Sequence, residues 1–328
     1  MIGLRGRWGI NSLQGKKTMR PGRPARPVSG AQRRASLDAH ERRRMLALAP
    51  ACAVIYLGFS GSGARAQTVR SVPAPVNVQE LVKHAVYNQL QDMRHPAHLY
   101  EYKHQEISPD SSQTTVEIQT AQGMAERLIL VNGKPPSEKQ CQRNLTQLAR
   151  IASSPRMARQ RLKNQQGDIE RREELFEALP NAVLFQYDGV EKNTGWVRLK
   201  YEPNPAFRPR LRAGGVLQGL EGTMWVDPSS QRIARIDGQL VRTVSFGWGI
   251  LAKLYPGGRF IMQQQKLPDG DWKQTELEVS FQGVILIFKK LNVDMKEIYS
   301  SFEKVPEGLT LSQAVDRLKS IPVDCQKP

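Results

Sequence analysis

Along most of the second half of the chain, apolar and polar residues alternate with a period of two. In the run 276–281, ELEVSF, every second residue is apolar, which is typical of a strand with one face on a core and one face in water. The connections between such runs are short and rich in turn-forming residues, at 227–230, 256–258, 268–270 and 282–283. Because connections this short require antiparallel neighbours, the pattern predicts one antiparallel sheet.

Helical spacing replaces this alternation in four places. Asn77 begins a segment with one apolar helical face, and capping-box sequences at Ser137 and Thr310 begin two more. Pro155 is well placed at the start of a further helix, which we predict to end at Leu179.

The strands and helices together predict the fold class. Three strand-like segments precede the helix at Ser137, and with the later ones they number about ten or eleven. A sheet of this size must curl, and its concave face then needs an apolar cover. We therefore predict an α+β fold, in which a strongly curved antiparallel sheet (a half-barrel) has helices over its concave face. A helical insertion at 137–179 follows the first strands.

The high net positive charge of the chain at first favours a nucleic-acid-binding protein. The chain has 328 residues, a formal net charge of +17 and a pI near 10.0. Residues 1–66, however, hold 13 basic and two acidic residues, so this stretch alone carries +11. The other 262 residues carry +6, with basic and acidic side chains interleaved. We therefore expect no nucleic-acid partner.

The basic stretch has the three parts of a secretory signal peptide. Three arginines at 42–44 precede the apolar run 45–59, and Ala64-Arg-Ala66 has the small residues of a cleavage site. We predict cleavage after Ala66 and a periplasmic location. An uncleaved signal anchor is the alternative. The twin-arginine route is a second possibility for export, and Met19 could be the true start.

Cleavage would leave three parts of unequal size. We expect a flexible lead-in at 67–76, a single carrier-like domain at 77–320 and a C-terminal tail at 321–328. Two cysteines then remain, Cys141 and Cys325. In an oxidising compartment they could form a disulfide, and otherwise they would be two inert thiols.

Motifs for catalysis or metal binding are absent from the sequence. There is no nucleophile elbow, H-E-x-x-H, P-loop or G-x-G-x-x-G motif. His95 and His98 could chelate a metal, but Pro96 breaks any helix that would align them. Asp269 and Asp271 lie in a predicted turn. We expect a non-enzymatic protein without metal or cofactor, with an unrecognised hydrolase as the minor alternative.

Two segments could bind a partner. The segment 203–215 is too rich in Pro and Gly for regular structure, and an aromatic residue stands there among arginines: Phe207, Arg208, Arg210 and Arg212. The helix that begins at Pro155 is basic in its first half and acidic in its second, contrary to the helix dipole. The loop could bind an acidic partner, a lipid head group or a peptide, and the helix could be an electrostatic docking surface. Both could recognise an envelope protein, or could simply be solvated.

Several short sequence segments resemble segments of exported bacterial proteins that are attached to the periplasmic outer-membrane lipoprotein-sorting (LolA/LolB-like) superfamily. They are LILVNGKPPS at 128–137, NPAF at 204–207, EGTMWVDP at 221–228, IARI at 233–236 and FGWG at 246–249. Together with the order of elements, they extend the resemblance over 77–320. It implies a half-barrel whose concave apolar face, covered by helices, holds acyl chains in the carrier proteins.

The resemblance and the alternation together indicate a candidate ligand wall. We expect a lipid, a lipoprotein acyl chain or another amphipathic ligand to be buried against it, and peripheral contact with a membrane could accompany this function. The candidate wall residues are Trp196, Leu199, Tyr201, Trp225, Ile236, Phe260, Met262, Leu277, Val279 and Phe281. Two alternatives stay open: these residues are ordinary core, or the same fold is an interaction or sensor domain of the envelope.

Overall fold

The computed structural model describes residues 77–209, 213–246, 251–286 and 289–326. The predictions for the leader, its cleavage site and the lead-in fall on 1–76 and lie outside these residues. Among the described helices, none has the length and apolar character needed to cross a membrane.

The described residues form four α-helices, one 3₁₀ helix and twelve strands, where the sequence predicts about ten or eleven strands. The helices are α1 (Val78–Arg94), α2 (Glu138–Ser153), α3 (Pro155–Ala182) and α4 (Leu311–Lys319), with a 3₁₀ helix at Ala213–Gly219. The strands are β1 (Tyr100–Ser108), β2 (Ser111–Thr120), β3 (Gly123–Val131), β4 (Val183–Val190), β5 (Val197–Pro203), β6 (Leu220–Asp227), β7 (Arg232–Leu240), β8 (Val244–Phe246), β9 (Ala252–Leu254), β10 (Arg259–Lys266), β11 (Trp272–Ile285) and β12 (Lys289–Lys304).

These strands form one open antiparallel sheet, which confirms the predicted sheet type. Their spatial order is β3-β2-β1-β12-β11-β10-β7-β6-β5-β4, and the short strands β8 and β9 attach beside β11. The first described strand therefore pairs with the last described strand, which places β1 inside the sheet. Helices α2 and α3 lie between β3 and β4 along the chain.

Capping residues define the helix starts as the sequence predicts. The Asn77 side chain accepts a hydrogen bond from the Glu80 amide at 3.2 Å, and Ser137 and Thr310 both form complete capping boxes. Helix α1 buries its predicted apolar face, formed by Leu81, Val82, Ala85, Val86 and Leu90.

Two cores lie on opposite faces of the sheet. Helix α1 packs against β4, β6 and β7, and we call this side of the sheet the α1 face. Helices α2 and α4 cover the other face near the β3 edge, where Val116 and Ile118 of β2 pack against Leu148 and Leu318. We call that side the α2 face.

The charge order of α3 has a structural reason. In its acidic half, Glu173 and Glu177 form ion pairs with Arg94 of α1, and Glu174 accepts a hydrogen bond from the Gly214 amide at 3.0 Å. The acidic half therefore attaches α3 to α1 and to the 3₁₀ helix. The basic half of α3 packs near α2 instead.

One predicted turn is wrong. We predicted a connection at Gln282–Gly283, but β11 continues through both residues. A Cβ atom at Gly283 would lie only 2.1 Å from the Lys253 carbonyl oxygen of β9. The glycine therefore permits a close approach of two strands, and it does not mark a reversal of the chain.

A β-bulge interrupts the pairing of β1 with β12. The register shifts between Glu101 and Lys103, and Ser301 on the facing strand has a φ of 55°. The extra residue turns two neighbouring rings of β12 toward Tyr102: Phe302 at 5.4 Å and Tyr299 at 5.9 Å between ring centroids. Bulges often re-aim side chains in this way beside functional sites.

Candidate functional site

Most of the predicted wall residues lie in one apolar core on the α1 face. The two-residue period of a β-strand brings them there, because every second residue of β5, β7, β10 and β11 points to this side. Leu199, Tyr201, Ile236, Met262, Leu277, Val279 and Phe281 are all buried in it, and Phe260 packs against it while partly exposed.

One tryptophan of the predicted wall, Trp225, is placed elsewhere, and this corrects the prediction. Trp225 stands between Met224 and Val226, which both point into the core, so its ring lies on the opposite face. There the Arg235 guanidinium carbon lies 5.2 Å from the ring centroid. Trp196 precedes β5, and its ring centroid is 6.4 Å from that of Trp272.

Beyond the apolar core, the α1 face becomes ionisable. Glu297 of β12 pairs with Leu277 of the core on one side and with Glu106 of β1 on the other side. His104 lies two residues from Glu106 on β1 and therefore points to the same face. One continuous face thus passes from aliphatic side chains on β10 and β11 to carboxylates, a histidine and tyrosines on β12, β1 and β2.

The centre of this ionisable cluster is His104. Its Nδ1 lies 2.9 Å from Glu117 Oε1, and its Nε2 lies 4.0 Å from Glu297 Oε1. All three side chains are buried, with exposed fractions of 7%, 2% and 6% for His104, Glu117 and Glu297. The imidazole ring also stacks on Tyr299, with 4.6 Å between the ring centroids.

Two tyrosines complete the cluster from neighbouring positions. The Tyr102 hydroxyl donates to Glu117 Oε2 at 3.0 Å, and the Tyr299 hydroxyl donates to Glu297 Oε2 at 2.5 Å. Each carboxylate therefore contacts the imidazole through one oxygen and a phenol through the other. We call these five residues, Tyr102, His104, Glu117, Glu297 and Tyr299, the His104 cluster.

Glu106 adds a further carboxyl group beside this cluster. Burial raises the pKa of Glu106, and the nearby Glu297 carboxylate raises it further. Burial together with Glu297 also holds the pKa of Tyr299 well above its ordinary value, so the phenol stays a hydrogen-bond donor. Within the described residues, no group of three or more His, Cys, Asp or Glu side chains is arranged to hold a metal ion.

A second polar group lies farther along the same strand, at Tyr100. Its hydroxyl lies 2.8 Å from both Asp269 Oδ2 and Asp271 Oδ2. His98 Nδ1 is 3.2 Å from Asp271 Oδ2, and Lys304 Nζ is 3.3 Å from Asp269 Oδ2. The aspartates do form the predicted turn, since Asp269 accepts from the Asp271 amide at 3.1 Å. They also bind the β10–β11 turn to β1.

Replacing Tyr100 with phenylalanine is expected to destabilise the protein in a pH-dependent way. Loss of the bond to Asp271 should cost about 1.5–3 kcal/mol at neutral pH, the range for a hydrogen bond to a charged group. The Tyr100 hydroxyl helps to lower the pKa of Asp269. For Asp271, burial raises the pKa, but bonds from Tyr100 and His98 outweigh it and lower the pKa.

The sign of the pH effect follows from these lowered pKa values. A carboxylate with a lowered folded-state pKa contributes stability above its unfolded pKa, about 3.9, and loses it as the pH falls through the folded value. Urea unfolding should therefore show a large difference between wild type and Tyr100→Phe near pH 7 and a smaller one near pH 3. Tyr87→Phe, on the exposed side of α1, is the control. A difference that does not vary with pH would contradict this account.

The predicted partner loop at 203–215 does not expose its aromatic residue as expected. Phe207 packs against the apolar core of the α1 face, so it is not an exposed aromatic. The Arg208 guanidinium donates to the backbone oxygens of Pro205 at 2.8 Å and of Phe207 at 3.0 Å. The apolar core of the α1 face takes up the Phe207 ring because burial removes the ring from water. The local Pro- and Gly-rich sequence does not indicate that this core is nearby. Arg210 and Arg212 lie outside the described residues.

The two cysteines of the described region are joined. Cys141 of α2 and Cys325 form a disulfide, with 6.3 Å between their Cα atoms. Next to it, the Gln326 amide donates to the Pro136 carbonyl oxygen, and the Glu138 amide donates to the Gln326 carbonyl oxygen, both at 2.9 Å. The segment after α4 is thus attached to the start of α2.

The His104 cluster is not predicted from the sequence, because its residues come from three strands and form no contiguous motif. A weaker signal was present: Tyr100, Tyr102, His104 and Glu106 occupy alternate positions of β1, and ionisable side chains on alternate positions of a strand must share one face.

Comparison with models of protein families, with curated proteins and with solved structures returned no match for this chain.

Proposed function

We propose that the chain is an exported, non-enzymatic binding protein that holds an amphipathic ligand, such as a lipid or a lipoprotein acyl chain. The ligand would lie on the concave face of a half-barrel sheet, and we assign this role to the α1 face. The observation that carries this proposal is the continuity of that face from an apolar core to the buried His104 cluster. A ligand with an apolar part and a hydrogen-bonding head group matches both regions at once.

The position of α1 limits where such a ligand could lie. Val82 and Ala85 of this helix are fully buried against the β4–β7 part of the face, so that part is already filled by the protein itself. We therefore place the apolar part of the ligand along β10 to β12, near Phe260 and Met295. Phe260 is only partly buried in this region.

The head group would then meet the His104 cluster. A carboxylate can accept about four hydrogen bonds, so Glu297 can bind a ligand donor in addition to the Tyr299 hydroxyl. The carboxylates of Glu106 and Glu297 both favour a donor group on the ligand, because an anionic head group would be repelled by them. The proposal therefore favours an amine, an amide or a hydroxyl head group.

Mass spectrometry of co-purified lipid tests the proposal. The whole chain would be exported in a bacterial host, purified from the periplasm and extracted with organic solvent. We expect close to one amphiphile per protein molecule. In Glu297→Gln the retained amount should fall at least about tenfold, which corresponds to about 1.4 kcal/mol of binding free energy. The substitution keeps the shape of the side chain.

Lys296→Gln provides the matched control. Lys296 is the neighbour of Glu297 on β12, and its side chain points to the opposite face, where it pairs with Glu276 at 2.7 Å. This variant should retain the wild-type amount of ligand. An absence of any amphiphile from the wild-type protein, or an equal loss from both variants, would refute the proposed site.

A further inference from the structure

Helices α2 and α3 form a basic groove on the outside of the protein. On α2 its wall is a single helical stripe, formed by Lys139, Arg143, Thr146 and Arg150, at intervals of three and four residues. Gln142 and Gln147 extend this wall, and Met157 and Arg161 of α3 form the opposite one. The groove has a volume of about 630 Å³. We call it the α2–α3 groove.

The charge of the α2–α3 groove is largely left unneutralised by the described residues. Four of its eight lining residues are basic and none is acidic. Arg161 has a carboxylate nearby, Glu126 Oε1 at 3.4 Å. For Lys139, Arg143 and Arg150, by contrast, the described part of the chain offers no carboxylate within 4.0 Å. Because the three cations converge on one cleft, they create a positive potential there.

These basic side chains are not needed to hold α2 in place. The helix is anchored through its other side, where Cys141, Leu148 and Ile151 are buried. The groove side chains of α2 are all exposed to solvent. Exposed cations that have no carboxylate partner among the described residues are available for an external anion.

The groove also has an apolar component. The stems of its arginine and lysine side chains line the cleft, and Met157 is 40% exposed at its edge. Arg156, Arg159 and Lys163 continue the basic surface along the first half of α3. The combination of cations with an exposed methionine complements a molecule that is both anionic and apolar.

We propose that the α2–α3 groove docks the protein on a bilayer that contains anionic phospholipids. Lipid phosphates would bind between Arg143 and Arg150 on one wall and Arg161 on the other, since guanidinium groups bind phosphate with two parallel hydrogen bonds. Met157 would contact the apolar boundary of the bilayer. An acidic protein segment would use the charges but leave the methionine without a role, so the lipid is the better match.

This surface is distinct from the proposed ligand site. The α2–α3 groove lies on α2, which covers the α2 face, and on the first half of α3, whereas the ligand is proposed for the α1 face. Membrane docking could therefore fail while ligand retention succeeds, and the reverse also holds. The two results come from separate measurements, on vesicles and on co-purified lipid.

Vesicle flotation measures the docking directly. The disulfide-bonded chain purified after export would be mixed with phosphatidylcholine vesicles, with or without about one-third phosphatidylglycerol, at roughly 0.1 M salt. We expect binding to the anionic vesicles only, and weaker binding as salt increases. The triple variant Lys139→Glu, Arg143→Glu and Arg150→Glu should bind at least about tenfold more weakly, because each basic side chain contributes several-fold near an anionic surface.

A charge-matched triple variant is the control. Lys253, Lys289 and Lys290 are exposed residues far along the chain, and their replacement by glutamate changes the net charge equally. This variant should bind the anionic vesicles within about threefold of wild type. A second variant, Met157→Ser, keeps every charge and should weaken binding by a few fold.

Three results would overturn the proposal. The first is equal binding to the two kinds of vesicle, and the second is an equal loss of vesicle binding in the two triple variants. The third is a protein that binds no vesicles but does bind a polyglutamate peptide through the same arginines. The last result would assign the groove to an acidic protein partner. Thermal unfolding of each variant shows whether it is folded when it is tested.

Discussion

Breaking the disulfide between Cys141 and Cys325 is expected to lower the free energy of unfolding by about 3–5 kcal/mol. The two residues are separated by 184 positions, so the bond closes a loop that contains most of the sheet. By the chain-entropy account, a loop of that length removes many conformations from the unfolded chain. The native state also loses an attachment, because α2 and the segment around Gln326 are held side by side at this point.

Guanidinium unfolding with and without a thiol reductant measures this effect. Wild type should shift to a lower midpoint when it is reduced. The double variant Cys141→Ser and Cys325→Ser should match the reduced wild type and should not respond to the reductant, which makes it the control. A loss below about 1 kcal/mol on reduction would show that the unfolded chain is already constrained in this region.

The second large effect is expected at His104. Replacing it with leucine should cost about 3–5 kcal/mol, because the substitution leaves the buried carboxylates of Glu117 and Glu297 without the imidazole that separates them. The stacking contact with Tyr299 is lost as well. Urea unfolding at neutral pH gives the free energy directly.

Two further variants make the His104 result interpretable. Lys103→Leu changes the adjacent residue of the same strand, whose exposed side chain points to the other face, and should cost less than about 1 kcal/mol. Adding Glu117→Met to His104→Leu should restore part of the lost stability, since removal of both partners of a buried pair costs less than removal of one. If the double variant is as unstable as the sum of its single variants, the pair is not coupled.

The sequence predicts the α1 face well because local physics governs it. A helical period determines which residues α1 buries, and a period of two determines which residues of β5, β7, β10 and β11 point inward. The same rule explains the error at Trp225. Trp225 is out of phase with the core, because its neighbours Met224 and Val226 are the residues of β6 that point inward.

The His104 cluster, by contrast, depends on pairing that no local pattern contains. Tyr102 and His104 can be assigned to one face of β1 from their spacing alone. Their contacts with Glu297 and Tyr299, however, require β12 to lie beside β1, and the two strands lie near opposite ends of the described region. Similarly, the charge order of α3 opposes the helix dipole when the helix is considered alone. It is explained by contacts with other elements, namely Arg94 of α1 and the Gly214 amide of the 3₁₀ helix.

The pairing of β1 with β12 also has a consequence for synthesis of the chain. While the protein is being made, β1 can pair with β2 early, but its other edge has no partner until residues 289–304 have been added. An unpaired strand edge of this kind readily associates with other chains. Contacts between distant parts of a sequence also form slowly. The sheet can therefore be completed only after β12 has been synthesised, and a chain that stops before β12 would leave Tyr102 and His104 on an open, aggregation-prone edge.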